Sequence, residues 1–198
     1  MAPGSVTVVE VDTPTVVMGS AQRPDVLAES ALQWGGFDCV QRRTGGGLVV
    51  LIPGEHVWVD VQIGREDPLW CEDVSRSFDW LAERWVAAFA DHGIAGEAHT
   101  GPSAHADLGR TVCFAGIGSG EVLVDGRKAV GMCQRRTRDA ALFQILLHSR
   151  FRPEQTLSVV SDSLRSEGLE RRLHSSVAAL ESAELVLRSF LDGLTPVE

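Results

Sequence analysis

The chain has 198 residues and a mass of 21.4 kDa, the size of one ordinary domain. Hydrophobic residues make up 44% and charged residues 23%, which excludes a disordered chain, and a net charge of −9 argues against a general nucleic-acid binder. No apolar run approaches the roughly 20 residues of a membrane span, and the opening MAPGSVTVVE lacks the basic-then-apolar pattern of a secretory signal. A cytoplasmic protein is therefore expected, with no membrane or nucleic-acid partner. Its four cysteines, Cys39, Cys71, Cys113 and Cys133, are expected as free thiols, and no Cys/His spacing suggests a metal.

Residues 5–18 are rich in Val and Thr and broken by Pro14, which predicts two short strands and a turn. Residues 24–34 open on a proline and carry apolar side chains at helical spacing, so a helix is expected up to Gly35-Gly36. A strand over 37–43 runs into Thr44 and three glycines. Residues 48–63 then read as two strands joined at Pro53-Gly54. Val74, Phe78, Leu81, Trp85, Ala88 and Phe89 fall three or four apart, an amphipathic helix over 73–91. Residues 94–110 read as a loop. TVCF, EVLV, KAVGMCQRR and AALFQILLH then read as strands, with a hairpin signal at Asp125-Gly126. Helices are expected near 153–166 and 177–193. Strands and helices do not alternate strictly, so a single α+β domain is expected, with residues 151–198 packing as helices on a catalytic part formed by 1–150.

Three places carry possible chemistry. Arg42, Arg43 and Gly45–Gly46–Gly47 form a loop where backbone N–H groups can approach an anion closely, or a plain loose connection. Its spacing rules out a P-loop. Residues 127–138 hold Arg127, Lys128, Arg135, Arg136 and Arg138, and Lys128 is the sole lysine beside seventeen arginines. Strict alternation places Lys128 on one strand face with Val130 and Met132, where an ammonium needs a partner; the alternative is a solvated basic hairpin. Cys113 lies between apolar residues and reads as inert core, or as a nucleophile if a positive group such as Lys128 comes alongside. The other cysteines read as structural, and the six histidines form no catalytic pattern.

RRTGGGLVV (42–50), followed about 80 residues later by VDGRKAVGMCQRR (124–136), resembles the catalytic domain shared by lipoate-protein ligases and octanoyltransferases. TPTVVMGSAQ (13–22) resembles that family's opening strand. The resemblance implies a central mixed sheet flanked by helices, as in biotin/lipoate ligases, around an acyl-binding tunnel. It implies that Lys128 contacts the acyl carbonyl or an adenylate phosphate, that Cys113 is the acyl-accepting nucleophile of the thiol-dependent members, and that Arg42, Arg43, Gly45, Gly46, Gly47, Gly131 and Gln134 bind substrate. It further implies transfer of an octanoyl or lipoyl group, from an acyl carrier protein or free lipoate, to a lipoyl domain or glycine-cleavage carrier protein. The transferase route needs no cofactor; the ligase alternative uses ATP and Mg²⁺ to form lipoyl-AMP; a third alternative binds without turnover. The cationic strip at 127–138 would suit an acidic carrier. Leu51-Ile52 stand where many relatives have His-Asp; the resemblance leads to the expectation that the family's N-terminal helix is missing or out of frame and its accessory C-terminal domain absent.

Overall fold

The computed structural model describes residues 4–30 and 36–194. Six strands form one large sheet: β1 (Ser5–Val9), β5 (His56–Gly64), β6 (Gly96–Ala98), β7 (Val122–Val124), β8 (Arg127–Arg136) and β9 (Ala140–His148). Their order is β1-β5-β9-β8-β7-β6, and every neighbouring pair is antiparallel. A second sheet of three strands holds β2 (Thr15–Met18) at its centre, parallel to β3 (Asp38–Gln41) and antiparallel to β4 (Val49–Leu51). The α+β class is as expected, and the mixed pairing sits in the small sheet rather than in the large one.

One face of the large sheet is covered by α1 (Asp79–Ala90) and α5 (Ala183–Asp192). Leu81, Trp85, Phe89, Val186 and Phe190 meet Val59, Val61, Val130 and Ile145 there, and the Trp85 and Phe190 rings stack at 4.1 Å. Helix α1 forms because its apolar residues recur at a helical period; it starts at Asp79, after turns over 73–78. The opposite sheet face, with Trp58 and Leu146, packs on Val17, Val49 and Leu51 of the small sheet and on Phe114. Helices α3 (Pro153–Val159) and α4 (Glu167–Ser176) close a third cluster with Val16, Leu48, Val50 and Val112.

The turns behave as their residues dictate. Asp125 and Gly126 adopt φ of 52° and 70°, the pair of positive values a tight hairpin requires. Gly54 takes φ 74° after Pro53, and the Glu55 N–H donates to the Ile52 carbonyl. That turn joins strands of different sheets.

Several expectations need correction. Within the expected 24–34 helix, Pro24–Val26 form a short 3-10 turn, Leu27 bridges Val160, residues 29 and 30 are helical, and residues 31–34 lie outside the described part. The expected loop over 94–110 contains β6 and a short helix, α2 (Ala106–Thr111). TVCF is no strand: Val112 alone is extended, bridging Leu48, and Cys113–Ala115 turn as a 3-10 helix. The expected 153–166 helix ends at Val159, and α4 follows it, capped by the Ser166 hydroxyl accepting from the Leu169 N–H. Its only buried apolar side chains, Leu169 and Leu173, are too few to mark a helix by periodicity.

Candidate active site

The site forms where the glycine loop, the Cys113 turn and strand β8 meet. Gly47 lets the first two touch. A methyl group on it would stand 2.4 Å from the Gly109 carbonyl and 2.8 Å from the Cys113 nitrogen, so no other residue fits without moving backbone. The Leu48 N–H donates to the Thr111 carbonyl and the Cys113 N–H donates to the Leu48 carbonyl, both at 3.0 Å. Gln22 ties the same turn to the small sheet: its amide nitrogen donates to the carbonyls of Arg110 (2.9 Å) and Thr111 (3.0 Å). Gly109 and Gly116 pack backbone to backbone, which folds the turn tightly around Cys113.

Lys128 reaches this turn from β8. A bulge opposite Val122/Leu123 interrupts the alternation of the strand. Val130 and Met132 therefore join the helix-side core, while Lys128 lies on the side of Gly131 and Phe114. Strict alternation is overturned here. Gly131 is not in the lining of the site cavity; it leaves room for the lysine stem, since a methyl group there would be 3.0 Å from Lys128 Cε and from the Phe114 ring.

Lys128 is 1% exposed, and its Nζ lies 2.6 Å from Glu121 Oε1, itself 4% exposed. The ammonium also donates to the carbonyls of Cys113 (2.9 Å) and Gly116 (3.3 Å), and stands 3.7 Å from Cys113 Sγ. Its three hydrogens are thus already engaged. Burial works to lower the Lys128 pKa, but charge on Cys113 and Glu121 and the hydrogen bonds to both outweigh it, and the ammonium is held above its ordinary value. Glu121 was missed by sequence reasoning. Its signal was there: an inward lysine demands a carboxylate, and Glu121 opens the apolar run of β7.

A cavity of about 280 Å³ lies in front of these groups, lined among others by Gly45, Gly46, Cys113, Lys128, Cys133 and Gln134. Gly45 and Gly46 have N–H groups with no protein acceptor among the described residues. The Gln134 carbonyl oxygen accepts from the Ser77 hydroxyl, while its buried amide nitrogen has no partner. The other expected residues fall elsewhere. Arg43 is exposed and lines neither this cavity nor the one behind it. Arg42 is buried, and its guanidinium donates to the Gly45 carbonyl (2.6 Å) and the Thr44 hydroxyl (3.1 Å), holding the glycine loop.

Behind the site runs a polar network that the sequence did not announce. Thr44, fully buried, donates to Gln144 Oε1 at 2.8 Å and meets Cys133 Sγ at 2.9 Å. The Gln144 amide donates to Asp60, which also accepts from the Trp58 indole N–H at 2.6 Å. Burial pushes the Cys133 thiol up to about 11, outweighing the pull of Arg42, so Cys133 stays a protonated donor. Beyond the network lies a second cavity of about 550 Å³, with Val9, Val11, Val17, Val40, Leu51 and Trp58 among its walls. Leu51 supplies apolar surface there. The expected tunnel is therefore two cavities with a polar wall between them.

The basic strip of residues 127–138 is not one surface. Arg127 sits at one end of β8 beside Asp125, and Arg136 at the other, roughly 30 Å away along nine strand steps. Arg136 stacks over Trp70 at 4.0 Å and donates to the carbonyls of Cys71 and Glu72. Among the described residues no helix is long and apolar enough to cross a membrane, and no group of three or more His, Cys, Asp or Glu is placed to hold a metal ion.

A large antiparallel sheet packed on a smaller mixed one, with a glycine loop and a buried lysine sharing a cavity, defines the fold of a lipoate-protein ligase. A two-part lipoate-protein ligase from Thermoplasma acidophilum, described with its E2 lipoyl domain, superposes with a TM-score of 0.72 at 16% identity, over 98% of this chain and 71% of that one. Lipoate-protein ligase A bound with ATP gives 0.70 at 15% identity, over 98% and 73%. A putative lipoate-protein ligase from T. acidophilum with bound lipoic acid gives 0.66 at 15%, over 98% and 75%. No curated protein matches the chain in sequence. The lipoyl protein ligase A/B catalytic domain model matches residues 3–185, and the chain belongs to that family.

Proposed function

We propose that this family member is an acyltransferase that moves an octanoyl or lipoyl group from an acyl carrier thioester to a lysine of a lipoyl domain or glycine-cleavage carrier protein, through a thioester on Cys113. One observation carries the reading: the Cys113 sulfur lies 3.7 Å from a buried ammonium, at a cavity edged by the unpaired N–H groups of Gly45 and Gly46. A cation beside a cysteine is the arrangement that turns a thiol into a nucleophile. The sulfur attacks the donor carbonyl, the C–S bond to the carrier breaks, and the carrier leaves as a thiol, taking up the proton that Cys113 gave up. The acceptor amine then attacks the Cys113 thioester, forms the amide, and returns a proton to the cysteine. One thioester replaces another, so no nucleotide is consumed.

Negative charge builds on the carbonyl oxygen in both steps. Lys128 serves it by exchanging the longer of its two carbonyl contacts, to Gly116, for the substrate oxygen, with the Gly45 and Gly46 N–H groups alongside. The free Gln134 amide nitrogen is a further donor at the same cavity. Arg42 acts at one remove, by holding the glycine loop. In this scheme the chain forms one catalytic unit, with α3, α4 and α5 supporting it.

The ATP-dependent alternative fits the cavity less well. Glu121 is its one lining carboxylate, and it is taken up by Lys128 and the Gly118 N–H, so it is not free for Mg²⁺. The Lys128 charge is likewise matched by Glu121 rather than left over for a phosphate. The test is incubation with octanoyl-carrier and a lipoyl domain without ATP, read by intact mass. The expected result is a hydroxylamine-labile octanoyl adduct on the protein, octanoylation of the domain, and loss of both in Cys113→Ser. Full activity of Cys113→Ser together with a requirement for ATP would establish the ligase instead.

A further inference from the structure

The wall between the two cavities has no role in the chemistry above, yet it is built from buried polar groups that satisfy one another. Thr44 has one hydroxyl hydrogen, which goes to Gln144 Oε1, and its oxygen accepts from Arg42 Nε and from the Cys133 thiol. Gln144 spends its amide on Asp60, at 3.1 and 3.2 Å to the two carboxylate oxygens. Asp60 is fixed in turn by Trp58. Cys133 faces the site cavity and Gln144 the cavity behind it, and the two residues are register partners on β8 and β9. The partition is thus formed by the Cys133 and Gln144 side chains, with Thr44 bonded to both.

From this geometry we infer that Gln144, pinned by Thr44 and Asp60, is a specificity-determining residue that stops the acyl chain and sets the longest acyl group the site accepts. The inference rests on the acyl-transfer reading for its substrate class. An alkyl chain with its carbonyl at Cys113 and Lys128 runs from the site cavity toward the wall. Advancing further means swinging Gln144 aside, which breaks its bonds to Thr44 and Asp60, leaves its own amide without those partners, and takes one partner each from a buried hydroxyl and the Asp60 carboxylate. Several added methylenes do not offset that loss. The space beyond is apolar enough to receive a chain, and Glu10, Asp12 and Asp60, which outnumber the one lining cation Arg42, favour a neutral tail over a second carboxylate. The site cavity alone therefore measures the substrate, and the second cavity becomes usable only when the wall is removed.

The experiment uses acyl N-methylamides from six to fourteen carbons, which bind but cannot be transferred, with affinity measured by calorimetry on the full chain. In the wild type each methylene should tighten binding about fourfold until the chain meets the wall, after which added carbons bring no gain. In Gln144→Ala the rise should continue through several more carbons. Thr44→Val keeps the shape, removes the hydroxyl that pins Gln144, and should move the break the same way by a smaller amount; it gives the answer if Gln144→Ala does not fold. A break at the same length in wild type and variants, or no break in the wild type, overturns the inference even if Cys113 is acylated by octanoyl-carrier. A break that moves as expected in a protein never acylated on Cys113 upholds the wall and sinks the transferase.

Discussion

Removing the charge of Glu121 is the most direct way to ask what holds Lys128 in place. The two side chains are 5% and 1% exposed and 2.6 Å apart, so neither charge has water to fall back on. Taking one partner from a buried pair costs about 3–5 kcal/mol, because the other is left uncompensated. For a chain of this length 1 kcal/mol moves the midpoint of thermal unfolding by roughly 2–4 °C, so Glu121→Gln should lower it by roughly 10 °C. Lys128→Met should cost about as much. The double variant Glu121→Gln/Lys128→Met leaves no buried charge and should recover most of the loss, while acyl transfer stays absent. Urea and thermal unfolding of the four proteins measure this cycle. Losses that simply add in the double variant, or a Glu121→Gln protein as stable as the wild type, would refute the claim that the pair is buried and mutually dependent. The pH range matters. The folded pKa of Lys128 is raised above its ordinary 10.5, so its stabilisation is fully present below that value and fades only as pH rises through the folded pKa. The cycle should therefore give the same coupling at pH 6 and pH 9.

Three further outcomes are expected. Lys128→Arg keeps the charge but not the compact ammonium, and should lower the acyl-transfer rate by about 10²–10³, the usual loss for one donor to a developing oxyanion; single-turnover loading of Cys113 measures it, and normal loading would reduce Lys128 to a structural cation. Gly47→Ala drives a methyl group into the Gly109 carbonyl and the Cys113 nitrogen, and should destabilise by about 1–3 kcal/mol and slow loading as well; unchanged unfolding would contradict the close packing. Burial, with His56 and Lys128 adding to it, lowers the His148 pKa from 6.5 to about 3. Between those values the unfolded chain carries a proton that the folded one does not, so stability should fall by about 1.4 kcal/mol for each pH unit of acidification. His148→Leu should flatten that acid limb, and an unchanged slope in urea unfolding at pH 4–7 would refute the assignment.

The glycine loop, the lysine strand and the Asp125-Gly126 hairpin were legible because each rests on local chemistry: backbone freedom, a lone residue type, a turn pair. What was not legible depends on other parts of the chain. The β8 bulge is set by pairing with β7, and it carries Lys128 to the opposite face from Val130 and Met132, which no count of residues along β8 reveals. TVCF has the composition of a strand, yet Gly109 and Gly116 pack against each other and turn it into a helical bend. The Thr44–Gln144–Asp60 wall joins residues up to 100 positions apart, so each read alone as an ordinary polar residue of a strand or loop. Even the cationic run 127–138 was misleading as a surface, because an extended strand spreads its ends far apart.

The amide of Gln22 grips carbonyls 88 and 89 residues further along, and Leu48 holds Cys113 from 65 residues away. Closing loops of that length takes place late in folding, after local hairpins have formed. A growing polypeptide would thus carry the Cys113 sulfur without a neighbouring cation or cavity until the two sheets dock. On the acyl-transfer proposal, acyl-accepting ability arrives with the finished tertiary structure, and a half-made chain is spared from capturing acyl groups.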